Sequence, residues 1–95
     1  MITLHIALHL KEGRGAALEA LYRDAYVPAI ARQAGFRTTT LLRSAADPER
    51  YAIDIVFDTE TQRQTWADSA DHEATWPRVV DLCESFTAEG YVIVA

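Results

Sequence analysis

The amino-acid sequence predicts an α+β domain, a split βαβ unit around an antiparallel sheet, and three observations carry that prediction. Ile2–Leu10 and Tyr51–Phe57 alternate apolar and polar residues with period two, which places every second side chain on one face of a strand. Residues from Ala17 onward repeat apolar side chains at three- and four-residue spacing, the period of a helix with one buried face. The full order reads strand, helix, strand, strand, helix in two pieces, strand, which is the ferredoxin-like arrangement.

Each element has a local reason. Strand one puts Ile2, Leu4, Ile6, Leu8 and Leu10 on one side and Thr3, His5, Ala7 and His9 on the other. Lys11-Glu12-Gly13-Arg14-Gly15 turns the chain into a helix carrying Leu18, Leu21, Tyr22, Ala25, Ala29 and Ile30, expected to reach about Gln33. Pro28 lies inside that helix and should kink it, because proline removes one donor and crowds the preceding turn. Gly35 sits where a helix ends in a left-handed residue. Phe36–Arg43 reads as strand two, dividing Phe36, Thr38, Thr40 and Leu42 from Arg37, Thr39, Leu41 and Arg43, and Ser44–Arg50 as the hairpin loop to strand three. Thr59, with Gln62 three residues on, caps a helix to about Ala67, and Ser69 or Asp71 caps a following turn. Trp76-Pro77 then opens a helical run with an apolar stripe of Val79, Val80, Leu82, Cys83 and Phe86. Gly90 breaks it, and Tyr91–Val94 is the last strand.

Composition narrows the functional classes. The chain has 95 residues, enough for a single domain over 1–95, with 49% hydrophobic and 24% charged residues, the balance of a soluble globular protein. Nine Lys and Arg against fourteen Asp and Glu give a net charge of −5, which opposes binding to a phosphate backbone, so no nucleic-acid partner is expected. No long apolar run or signal peptide is visible; the expectation is a cytoplasmic protein without a membrane partner. Cys83 is the only cysteine, which excludes an internal disulfide framework and any multi-thiolate metal site.

In a split βαβ unit the first and third strands are central and all helices cover one sheet face. The other face would carry His5, Ala7, His9, Leu41, Val56, Val92 and Val94 with Thr39 and Asp54. Such a half-apolar surface is expected to be covered by a second copy, giving a homodimer. His5 and His9 project together from that face; polar packing at an interface explains them better than a metal site, and none is assigned. Arg37 and Arg43 are expected there too, paired with Asp54 or Asp58.

Several segments resemble the antibiotic biosynthesis monooxygenase family. They are the opening strand with Leu10-Lys11-Glu12-Gly13, the Ala34-Gly35-Phe36 junction, Leu41-Leu42-Arg43, and Val56-Phe57-Asp58-Thr59-Glu60 running into Thr65-Trp66-Ala67-Asp68-Ser69-Ala70-Asp71-His72. The resemblance implies a dimeric α+β barrel of ferredoxin-like protomers. It also implies a cleft between sheet and helices where a small phenolic, quinol or polyketide-like aromatic is oxygenated by O₂ without metal or flavin, the substrate supplying the electrons. Tyr22, Tyr26, Tyr51, Phe57, Trp66 and Trp76 are the aromatic residues available for such a cleft, and His72 is the proton-transfer candidate because imidazole titrates near neutral pH. A histidine between Asp71 and Glu73 near a helix start also has a plainer reading as a solvated or capping residue, as tryptophans at helical spacing have as core. The Asn, Trp and Tyr associated with anthrone oxygenation fall on Ile53, Phe57 and Arg63, and the Asn, Trp and His of the haem-degrading branch on Ile6, Trp66 and Trp76. Only Trp66 is retained, which disfavours haem degradation. A non-catalytic dimeric ligand-binding or accessory protein of the same fold is the alternative function.

Overall fold

A computed structural model describes residues 1–95 as β1 (Ile2–Leu10), α1 (Gly15–Leu21), a π turn (Tyr22–Tyr26), α2 (Val27–Ala31), β2 (Phe36–Arg43), β3 (Arg50–Phe57), α3 (Glu60–Ala67), α4 (Ala70–Val80) and β4 (Cys83–Val92). The strands form one antiparallel sheet in the order β2-β3-β1-β4, so the two strongly alternating strands are central, as expected for a split βαβ unit. The molecule measures 35 × 30 × 18 Å, and the thin dimension is that of one helical layer on one sheet. The interior is a single cluster of 15 side chains, led by Leu8, Leu18, Tyr26, Ile30, Ile53 and Trp66.

Pro28 shapes the long helix without breaking it. Its ring has no N–H to give Asp24 and would press on that carbonyl, and the chain answers by widening to a π turn, where the Val27 amide reaches back five residues to the Tyr22 carbonyl. The extra residue rotates Tyr26 into the core, where it is 1% exposed and stacks with Tyr22 at 5.7 Å. Gly35 has φ +79°, the left-handed region that favours glycine, and a Cβ there would also displace the end of the Gln62 side chain. Thr59 caps α3 by accepting the Gln62 amide, and of the two candidates for the next cap it is Ser69, accepting from the His72 amide at 3.1 Å.

Three expectations are corrected. First, the helix expected to open at Trp76-Pro77 begins at Ala70, and Cys83–Val92 is strand rather than its apolar stripe. Val79 and Cys83 are both buried, one from the last turn of α4 and the other from the start of β4. Their four-residue spacing imitates one helix face across a turn at Asp81-Leu82. Second, β2 changes face partway. Phe36 lies opposite Phe57 and Thr38 opposite Val56, so Arg37 is an extra residue in a β-bulge, and a one-residue slip turns every later side chain over. Thr39, Leu41 and Arg43 therefore face the helices: the Tyr22 hydroxyl bonds Thr39, Leu41 joins the core, and Arg43 meets Glu19 of α1 at 3.6 Å instead of a carboxylate on the far face. Arg37 does pair with Asp58. Third, Val92 lies opposite Ile2 on the helix side, and Val94, 92% exposed, lies beyond the strand.

The uncovered sheet face thus carries Thr3, His5, Ala7 and His9 from β1, Ala52, Asp54 and Val56 from β3, and Thr38, Thr40 and Leu42 from β2. Nδ1 of His5 and Oδ1 of Asp54 are 2.6 Å apart across the central pair. The bulge replaces Thr39, Leu41 and Arg43 of the sequence reading by Thr38, Thr40 and Leu42 on this face. No group of three or more His, Cys, Asp or Glu there or elsewhere is arranged to hold a metal ion, and no helix is long and apolar enough to cross a membrane.

Candidate functional site

The cleft between the helices and the sheet holds a cavity of about 190 Å³. Its floor is the covered face of the sheet: Leu4 and Ile6 of β1, Ile55 of β3, and Phe86 and Ala88 of β4. Its walls come from the helical layer, with Tyr26 from the π turn, Arg63, Trp66 and Ala67 from α3, and His72 and Trp76 from α4. Cavities of about 150 Å³ lined by aliphatic and aromatic groups take up benzene. This one therefore has the size for one or two fused rings, below the ~300–1,000 Å³ of pockets for drug-sized ligands.

A continuous run of ring contacts defines the walls. Tyr26 meets Trp66 edge-on at 5.8 Å, Trp66 meets His72 edge-on at 5.1 Å, His72 stacks on Trp76 at 6.0 Å, and Trp76 meets Phe86 edge-on at 5.1 Å. The sequence dictates this placement through the Ser69 cap. Capping fixes His72 as the third residue of α4, and Trp76 follows four residues later on the same helix face. Trp66 and Arg63, three apart on α3, share a face in the same way.

Of the six residues assigned to the site from sequence, the cavity gathers His72, Trp66 and Trp76. The other three lie elsewhere. Phe57 is fully buried beneath the helices, against Phe36. The Tyr51 hydroxyl donates to Glu19 near the start of α1, and Tyr22 donates to Thr39. Tyr26, part of the aromatic supply, and Arg63, which falls where the anthrone pattern has tyrosine, are the polar-ended wall residues left out of that assignment. The i, i+3 spacing of Arg63 to Trp66 is the sequence signal for the second; for Tyr26 the signal is Pro28 two residues later, which forces the π turn.

Three polar atoms of the cavity wall have no side-chain partner. No side-chain hydrogen bond engages the imidazole nitrogens of His72 or Nη1 of Arg63, whose Nε and Nη2 are used by Glu60 and Gln64. No buried side-chain nitrogen or oxygen lacks a partner, so these atoms open onto accessible space. Burial holds the His72 imidazolium below the usual 6.5, with Arg63 acting the same way and Glu73 and Asp68 opposing. The positive end of α4 also disfavours a cation at its third residue. Burial raises the Tyr26 phenol strongly, so it stays protonated. At neutral pH the walls thus present a neutral imidazole able to accept a proton, a neutral phenol and one permanent cation.

The family described as antibiotic biosynthesis monooxygenase matches residues 1–78. Among solved structures, a candidate antibiotic biosynthesis monooxygenase from Bordetella bronchiseptica superposes with a TM-score of 0.88 at 23% identity, over 99% of this chain and 97% of that one. SnoaB, a cofactor-independent oxygenase from Streptomyces nogalater, superposes with a TM-score of 0.88 at 17% identity, over 99% and 93%. At these identities the likeness is one of fold. No curated protein matches the sequence.

The state of His72 makes a prediction about stability. Below about pH 6.5 the unfolded chain takes up a proton on this side chain while the folded chain, with its lowered pKa, does not. Stability associated with the neutral imidazole is therefore full above pH 6.5 and is lost as pH falls toward the folded value. Urea denaturation of wild type and His72→Gln between about pH 7.5 and about 5 should show the wild type losing more stability than the variant. Parallel curves would mean that the imidazole is solvated.

Proposed function

The chain belongs to the antibiotic biosynthesis monooxygenase family, and on that footing we propose that the sheet–helix cavity oxygenates a small electron-rich aromatic of one or two rings without a cofactor. The observation that carries this reading is a histidine with both ring nitrogens free of protein partners, set into a mostly apolar, aromatic-walled cavity. His72 accepts the acidic C–H or O–H proton of the substrate. The resulting anion passes electrons to O₂, the two fragments combine as a peroxide, and water is lost. One oxygen atom stays in the product as a ketone or quinone, the other leaves in water, and a methylene gives up two hydrogens. The apolar floor and aromatic walls hold the ring, and the Tyr26 hydroxyl donates to developing negative oxygen.

O₂ uptake by purified protein with small quinols, naphthols and anthrones tests the proposal. At least one ring system of suitable size should be consumed faster than in buffer, and His72→Gln should lower kcat by about 10²-fold with a much smaller change in KM. No enhancement over buffer across the panel would refute the enzyme and favour the alternative, a ligand-binding or accessory protein.

The reading includes a homodimer through the uncovered sheet face. Leu42 (44% exposed) and Tyr91 (49%) are joined there by the half-buried Ala7, Ala52 and Val56, and no helix of the same chain lies over them. Sedimentation at micromolar concentration should give a dimer. Val56→Asp, which sets a second carboxylate beside Asp54, should shift it to monomer. A wild type that sediments as monomer would refute this association.

A further inference from the structure

Arg63 is the only cation on the cavity wall, and its surroundings distinguish it from a solvent-facing helix arginine. Its side chain is 16% exposed and lines the cavity, whereas that of its partner Glu60 is 61% exposed and does not. Two carboxylate oxygens of Glu60 take Nε and Nη2, at 2.9 and 2.6 Å, and Gln64 takes a second hydrogen of Nη2 at 3.3 Å. That leaves Nη1 with two N–H groups and no protein acceptor. No buried side-chain nitrogen lacks a partner, so Nη1 is accessible and its two N–H groups are free to meet an anionic ligand in place of water. The other titratable groups near the site do not supply an acceptor for Nη1: Asp68 acts on Arg63 only through space, and His72 is neutral.

We propose that the ligand of this cavity carries an anionic oxygen, as a carboxylate or an ionised phenol beside its ring, which pairs with Nη1 of Arg63. The inference rests on the cavity being the ligand site of the proposed function, and narrows the substrate class to acidic aromatics. The geometry gives the acid one end of the cleft and the ring the rest, between Trp66, Trp76 and the β1–β4 floor. His72, on the next helix, is then free to act on the ring. A guanidinium with one edge held by Glu60 is already oriented, so little side-chain freedom is lost when the free amino group binds.

Calorimetric titration with naphthoate and with naphthamide, two probes of nearly the same shape that differ in charge, decides the matter at neutral pH. Wild type should bind naphthoate about tenfold more tightly than naphthamide. Arg63→Met should abolish that preference while leaving naphthamide affinity within about twofold, which also shows that the cavity is intact. Glu60→Gln keeps the arginine and removes its competing carboxylate, so it should increase the preference for naphthoate by about threefold or more. Equal binding of both probes by wild type, or a preference that survives Arg63→Met, would overturn the acidic-ligand inference and leave the oxygenase reading standing. Binding of neither probe would overturn both.

Discussion

The cavity depends on one interaction, the chain of ring contacts that runs from Tyr22 through Tyr26, Trp66, His72 and Trp76 to Phe86. It links the π turn, α3, α4 and the edge strand β4, elements that are otherwise joined by few side-chain hydrogen bonds. Rings of this kind bury large areas with few rotatable bonds, and each offset or edge-on pair adds about 0.5–1.5 kcal/mol beyond burial. The void lies between these rings and the β1–β4 floor.

Placing His72 in that chain has consequences for its charge. As a wall of the void it is partly desolvated, at the start of α4 it faces the positive helix end, and both effects favour the neutral form. Arg63 works in the same direction from α3 while keeping a permanent charge on the cavity wall. The two residues therefore divide the chemistry of the site, one able to exchange a proton and the other able only to hold an anion. The hydroxyl of Tyr26, kept protonated by burial, adds a donor without adding charge.

Much of this was legible in the sequence where packing imposes a period. β1 and β3 are central and covered on one side, so their alternation is clean, and Thr59, Gly35 and Gln62 mark the β3–α3 corner through capping and a left-handed residue. β2 and β4 are edge strands, and there the signal fades. Arg37-Thr38-Thr39-Thr40 is polar on both sides, so nothing in its pattern reveals which residue the bulge inserts. In Cys83–Val92 almost every residue is exposed, leaving no alternation to set against the four-residue spacing of Val79 and Cys83. For the site, His72, Trp66 and Trp76 could be found because caps and helical spacing bring them together. Only Pro28, two residues after Tyr26, sets Tyr26 apart from Tyr22 and Tyr51, through the π turn it imposes.

Ligands are proposed to enter the void beside His72, and not the uncovered sheet face that holds the other two histidines. Nitrogen NMR of uniformly labelled protein during titration with naphthol measures this directly, because each imidazole and indole reports separately. Saturable shifts are expected for the His72 ring nitrogens and the Trp66 and Trp76 indole N–H groups along one binding curve, with His5 and His9 unmoved. Shifts confined to His5 and His9, with His72 and both tryptophans unchanged, would contradict it.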